Sequence, residues 1–334
     1  MEKFQETPFY SKAKKKLLAL TRFAWNNKID WQDVEAWLDN FNANDDLNEC
    51  EKLQMLHLLD QFMYFGEREI KILLQCVFRD KFKYKIIHHI RKKRQNTLDR
   101  EIIEKNFQNE LMNTRFLGVG NPSESGTHLL YYFRQENKLP KNLFQHKDDI
   151  FETEHVIRDE SENGPIIRKT ERLANLEISN YVFLDDMCGS GVQASIYLKE
   201  TVEKVKLLNP KAKIFYYVLF ANSEGIKNIK SRVGLYIDYI DCVFELDNSF
   251  KCFGENSRHF KSTNEYIDRI KSQAISSKYG AMLLPNCPLG YDDNQLLIGF
   301  NHNTPDNTLP IIWFDEEGIN WRPIFKRYNK IYGW

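Results

Sequence analysis

The first third of the sequence has few residues that stop a helix. Before residue 115 there is one proline, Pro8, and one glycine, Gly66. Long helices meet little there to break them. Closely spaced cysteines are also missing. Cys50, Cys76, Cys188, Cys242, Cys252 and Cys287 are scattered and form no CxxC pair. That argues against a structural zinc site, which needs clustered ligands, and against a disulfide framework. There is no excess of charge of either sign, because Lys+Arg and Asp+Glu both total 47. No global field draws such a chain to nucleic acid or membrane, although a local basic face remains open. No apolar run is long enough to cross a bilayer. The segment Met1 to Lys16 is polar and basic, and the apolar stretch after it is too short for a signal peptide. A cytoplasmic protein with no membrane partner is expected.

What is present changes character along the chain. Leu53, Met55, Leu56, Leu58, Leu59, Phe62 and Met63 trace a wide apolar helical face. Ile70, Leu73, Leu74, Val77 and Phe78 trace a second. Ile86, Ile87 and Ile90 give a third, and Ile102, Ile103 and Phe107 a fourth. This predicts a helical N-terminal region over residues 1–112. An α/β domain is expected over 113–334, because strand-loop-helix units repeat there. Phe116–Gly120 and Tyr181–Leu184 read as strands, and Ile214–Ala221 as a strand buried on both faces. Leu235–Leu246, Leu296–Phe300 and Ile311–Phe314 supply further candidates. Thr127 is placed to cap the helix carrying Leu129, Leu130 and Phe133. Lys141 to Arg172 is charged and carries the turn signal Ser161-Glu162-Asn163-Gly164-Pro165, a hairpin pattern.

One segment carries chemistry: Leu184-Asp185-Asp186-Met187-Cys188-Gly189-Ser190-Gly191-Val192-Gln193. It lies between a predicted strand and a predicted helix, where open α/β sheets bind ligands. Glycines let the backbone approach an anion, a helix N-terminus presents N–H groups to it, and Ser190 adds a hydroxyl. Two adjacent carboxylates suit sugar hydroxyls or a hydrated Mg2+. A phosphorylated ribose offers both kinds of group.

The segment resembles the phosphoribosyl pyrophosphate signature of type I phosphoribosyltransferases. The resemblance implies a phosphoribosyltransferase-type, mainly parallel sheet flanked by helices. It implies that Asp185 and Asp186 are catalytic, meet the ribose hydroxyls and take Mg2+. Gly189, Ser190, Gly191, Val192 and Gln193 would then cradle the 5-phosphate. In such enzymes an earlier strand-loop-helix unit holds the pyrophosphate. Phe116 to Phe133 has that form, with Ser123, Glu124, Ser125 and Gly126 filling its loop. Three positions depart from the pattern. Gln193 and Gly189 stand where threonines are common, and Glu124 where a basic residue is common. The sequence is closer to the phosphoribosyltransferase-like family linked to bacterial conflict systems. There Asp-Asp is followed by two residues, Gly-Ser-Gly and then Gln. The run from Gly299 to Pro310, Gly-Phe-Asn-His-Asn-Thr-Pro-Asp-Asn-Thr-Leu-Pro, is similar to that family's C-terminal motif. This resemblance covers residues 112–334. It implies phosphoribosyl pyrophosphate or a related nucleotide as ligand, glycosyltransferase activity, and an effector role in anti-phage defence. A protein or RNA partner would come from that system.

Other readings compete. A non-catalytic nucleotide-binding module would use the same loop. Asp-Asp-Met-Cys-Gly-Ser-Gly also resembles a loop with which some nucleic-acid methyltransferases bind S-adenosylmethionine. Their second motif has only Asn286-Cys287-Pro288-Leu289 as a weak counterpart. Gly118-Val119-Gly120 opens a dinucleotide-type loop but lacks the third glycine, where Ser123 stands. The basic run Lys81, Lys83, Lys85, Arg91, Lys92, Lys93, Arg94, with His88 and His89, reads first as a solvated helix face and second as a nucleic-acid contact. Arg158, Arg168 and Lys169 flank the hairpin turn, as residues of a closing loop or of an exposed hairpin. His302, among Asn301, Asn303, Asp306 and Asn307, reads as a base-reading group or a hydrogen-bonded turn.

Overall fold

The computed structural model describes residues 2–120, 125–161, 164–261 and 265–327, without the side chains of 125 and 155–169. Along the chain run α1 (Pro8–Phe23), α2 (Trp31–Leu38), α3 (Glu51–Asp60), β1 (Met63–Phe65) and α4 (Glu67–Cys76). A π-helical stretch, Val77–Lys83, leads directly into α5 (Tyr84–Lys93), and α6 is Arg100–Met112. Then come β2 (Thr114–Gly118), α7 (Ser125–Glu136), β3 (Phe151–Ser161), β4 (Gly164–Leu173) and β5 (Asn180–Cys188). They are followed by α8 (Val192–Leu208), β6 (Lys213–Asn222), α9 (Ser223–Val233) and β7 (Tyr239–Leu246). Last are α10 (Arg269–Leu283), β8 (Ile298–Phe300) and α11 (Pro310–Trp313). No helix among the described residues is long and apolar enough to cross a membrane.

The chain forms two compact units, residues 71–245 and residues 1–70 with 246–334. The boundary expected near residue 112 falls inside the first of these, between α6 and β2.

Unit 71–245 is an α/β layer structure. Its sheet has the order β2-β5-β6-β7, with β2, β5 and β6 parallel. β5 and β6 are nearly continuous apolar runs because both of their faces are covered. On one face the rings of Phe82, Phe116 and Phe215 meet at 5.3 and 5.8 Å, and Phe133 packs on Phe116 at 5.1 Å. On the other face Leu198, Val202 and Val205 of α8 and Ile229 and Val233 of α9 bury against Tyr181, Phe183, Tyr216 and Val218. β3 and β4 form the antiparallel hairpin read from the turn signal.

In the second unit α3 is buried on nearly every side, as expected of a helix at the centre of a core. Its polar residues are paired: Lys52 with Glu2 and Asp39, Gln54 with Tyr266 O, His57 with His259 O.

Three local expectations are corrected. Ile311–Phe314 is mostly the short helix α11, started by Pro310 at its first position, where the missing N–H costs nothing. Thr127 lies inside α7, which begins at Ser125, so it is no cap. The helical N-terminal region contains a strand, β1, paired in parallel with β8, and this pair stands apart from the main sheet.

Candidate functional site

The acidic pair closes β5 at its carboxyl end, between β2 and β6. Tyr181 to Leu184 are buried, Asp185 is half-buried, and Asp186 is 9% exposed. The carboxyl of Asp185 is held on both oxygens. Tyr216 Oη donates to its Oδ2 at 3.0 Å, and the Asp186 N–H donates to its Oδ1 at 2.9 Å. The Met187 N–H donates to Asp186 Oδ1 at 2.8 Å.

Burial pushes the Asp185 carboxyl well above the usual carboxylate range, and the adjacent Asp186 charge adds to the rise. The hydrogen bond from Tyr216 opposes it without reversing it. Burial also pushes the Tyr216 hydroxyl well up, so it stays a neutral donor. It pushes the Cys188 thiol up to about 12, which leaves that sulfur a packing group rather than a nucleophile. A carboxyl pair in this state gains from anything that supplies positive charge or hydrogen-bond donors.

The loop after the strand is fixed by α9. Gly191 has φ +75°, in the left-handed region that only glycine enters cheaply, and is the N-cap of α8 without a side-chain cap. A Cβ there would stand 2.5 Å from the carbonyl oxygen of Gly225. A Cβ on Gly225 would stand 2.2 Å from the carbonyl oxygen of Gly189. Asn228 Nδ2 donates to the Ser190 carbonyl at 2.9 Å, and Ser195 Oγ donates to the Gly191 carbonyl at 2.6 Å. The Val192 N–H donates to Ser190 Oγ at 3.4 Å. Gly189, Ser190, Gly191 and Val192 therefore form one backbone turn feeding α8, and Gln193 stands exposed on its first turn.

Of the second predicted segment, Ser123, Glu124 and the side chain of Ser125 lie outside the described residues. Gly126 is described. A Cβ on it would stand 2.2 Å from Val119 O and 3.1 Å from Leu184 O. The Val119 N–H donates to Leu184 O at 2.8 Å. The first turn of α7 thus lies against the residue preceding Asp185. Gly126, of the second segment, and the strand that carries Asp185 therefore meet at the carboxyl ends of β2 and β5. Tyr197 Oη, donating to Gly118 O at 3.3 Å, ties α8 to the same edge.

The sequence reading missed Tyr216, Gly225 and Asn228. Tyr216 is hidden in an apolar run, and Asn228 carries no local signal. Gly225 follows a buried strand by three residues and could have been marked as a second close approach. The side chains of Arg158, Arg168 and Lys169 lie outside those described. His302 belongs to the other unit, where its ring stacks on Phe300 at 5.5 Å and 21°. Asn286 to Leu289 also lies in that unit. Among the described residues no group of three His, Cys, Asp or Glu side chains could hold a metal ion.

No curated protein matches the sequence. Similar solved structures include the AQ2163 protein from Aquifex aeolicus, at 13% identity over 72% of this chain and 94% of that one, TM-score 0.29. Xanthine-guanine-hypoxanthine phosphoribosyltransferase of Helicobacter pylori is similar at 9% identity over 62% and 90%, TM-score 0.25. Orotate phosphoribosyltransferase from Aeropyrum pernix is similar at 11% identity over 55% and 78%, TM-score 0.25. At these TM-scores the likenesses carry no argument. The sequence itself does, since residues 34–327 match one family and take in the α/β sheet, the acidic pair and the Gly-Ser-Gly turn. The chain belongs to the phosphoribosyltransferase-like family PRTase-CE.

Proposed function

We propose that the turn at the end of β5 binds phosphoribosyl pyrophosphate or a related ribose-phosphate nucleotide, and that the protein is a transferase of the phosphoribosyl group. One observation carries this reading. A half-buried Asp185 and a buried Asp186 stand two residues before a glycine turn that α9 holds in shape at Gly225 and Asn228. In this reading the ribose hydroxyls donate to Asp185 and Asp186. The 5-phosphate lies on the N–H groups of Gly189 to Gln193, at the positive end of α8. The pyrophosphate falls to the loop Ser123, Glu124, Ser125 and Gly126.

Mg2+ would be held by Asp185 and Asp186 as an ion that keeps its waters and the substrate phosphates. When bound it would neutralise charge on the pyrophosphate. The protein's own part is to hold the sugar by its hydroxyls against the acidic pair.

A second reading, binding without turnover, is favoured by the bonds already made by Asp185. Each of its oxygens already accepts one hydrogen bond within the protein. The role in anti-phage defence rests on the sequence resemblance. Plaque counts on a host carrying the gene and its neighbours, with and without the Asp185→Asn/Asp186→Asn change, test it.

Titration calorimetry with phosphoribosyl pyrophosphate and Mg2+ tests the site, with S-adenosylmethionine as control ligand. Binding that is lost in Asp185→Asn/Asp186→Asn is expected. Binding of S-adenosylmethionine instead would overturn the reading in favour of a methyltransferase. Binding with no pyrophosphate released would favour the second reading.

A further inference from the structure

The net charge of zero conceals a strongly one-sided face in unit 71–245. Two parallel strips run along α5. Lys85, His89 and Lys93 stand four residues apart and share one side of the helix. Tyr84, His88 and Lys92 have the same spacing on the adjoining side. The second strip is open to solvent: Tyr84 is 62% exposed, and His88 and Lys92 are exposed. The rings of Tyr84 and His88 are nearly parallel, at 6.3 Å and 16°.

The first strip runs along the sheet. Lys85 Nζ stands 5.8 Å from the Tyr239 ring at the start of β7. The charge of Lys93 acts on Lys213 at the start of β6, and Lys213 acts on His89. Burial holds Lys213 below the usual lysine range, with Glu110 opposing and Lys93 adding to the effect. His89 is lowered by burial and then by Lys213 and Lys93. Next to Lys85 opens a groove of about 720 Å³, lined among others by Lys230, Tyr217, Leu235 and Tyr239.

Three of the bordering acids are paired with other lysines. Asp241 pairs with Lys81 at 3.1 Å, Glu104 with Lys83 at 3.9 Å and Asp238 with Lys206 at 2.8 Å. Glu110 accepts from the neutral Asn180 Nδ2 at 3.1 Å, and its charge still acts on Lys213 and His89. Lys85, Lys92, Lys93, Lys213 and Lys230 make no ion pair among the described residues. The helix dipole attracts cations to a last turn, which accounts for Arg91 to Lys93. It does not account for Lys85, Lys213 or Lys230.

We propose that this face of α5, with the groove beside Lys85, binds a single-stranded nucleic acid. The phosphates would follow the lysine strip, and a base would stack on the exposed Tyr84–His88 pair. Cations without an ion-pair partner beside a solvent-facing aromatic surface are what such a strand recognises.

The test is fluorescence anisotropy on the full chain, with an RNA oligonucleotide of roughly 16 residues, its DNA counterpart and a duplex. Salt is varied from about 50 to about 200 mM. Both single strands should bind, with affinity falling steeply as salt rises. The Lys92→Glu/Lys93→Glu variant should lose at least about tenfold, and Tyr84→Ala/His88→Ala about fivefold or more on single strands only. Lys14→Glu/Lys15→Glu in α1, the same change of charge elsewhere, should leave affinity unchanged. Failure to bind any strand would overturn the proposal. So would an equal loss in the α1 variant, or displacement of the RNA by poly-aspartate as readily as by unlabelled RNA.

Discussion

Replacing Gly225 by alanine sets two effects against each other at one position. Gly225 lies in α9, and alanine in a helix interior is favoured over glycine by about 1 kcal/mol. Its Cβ, however, would stand 2.2 Å from Gly189 O and 3.0 Å from both Cys188 O and Cys188 Sγ. Two of these atoms are backbone, so no flexible side chain can move aside. Overpacking of this kind costs about 1 to 3 kcal/mol, and a backbone clash belongs at the upper end. The net expectation is a loss of about 2 kcal/mol, or about 4 to 8 °C in Tm for a unit of this size. Gly189 must also retreat, which in the proposed binding mode moves it away from the phosphate. Scanning calorimetry and titration with phosphoribosyl pyrophosphate read both consequences, and affinity should fall at least about tenfold, a change of about 1.4 kcal/mol. Gly254→Ala is the control, since its Cβ would meet nothing closer than 3.4 Å. A Gly225→Ala protein as stable as its parent and binding equally well would refute the account of the loop.

Asp185→Asn should stabilise the protein at neutral pH. The folded carboxyl titrates above its ordinary value, so between the two values the native state binds more proton than the unfolded chain. Stability is therefore greatest below the ordinary carboxyl range and falls by up to about 1.4 kcal/mol per pH unit until the folded value is passed. The amide keeps both contacts, its oxygen accepting the Asp186 N–H and its nitrogen donating to Tyr216, so denaturant titrations should show this slope flattened. Tyr216→Phe should act the other way. It leaves Asp185 Oδ2 without its donor, at a cost of about 1 to 3 kcal/mol in the same titrations, greatest where the carboxyl is charged.

The parts of the site that were legible in the sequence are those written locally. An apolar run, two acids and Gly-Ser-Gly announce a strand, a turn and a helix whatever the rest of the chain does. The acids proved to be the end of the strand rather than the start of the loop, because β5 continues to Cys188. What shapes the loop was not legible, since Gly225 and Asn228 reach it through packing between α8 and α9, and no spacing in either helix records that contact. Ile311 to Phe314 was misread because a short apolar run is compatible with strand or helix, and Pro310 decides for the helix. β1 escaped notice for a different reason. Its three residues pair with Ile298, Gly299 and Phe300, so their extended form depends on a distant segment rather than on their neighbours. The π-helical turn at Val77–Lys83 likewise has no mark in the sequence.

The pairing of β1 with β8 bears on how the chain is made. A ribosome delivers residues 1–70, then all of unit 71–245, and only afterwards the segment that contains β8. The α/β unit has every strand of its sheet before the last quarter of the chain is synthesised, and can close while translation continues. The N-terminal helices cannot do so. Leu53, Leu56 and Leu59 of α3 belong to a core completed by Leu309, Ile311 and Ile312. Until those residues emerge, the apolar surface of α3 is covered only in part, by α1 and α2, and the remainder is open to aggregation.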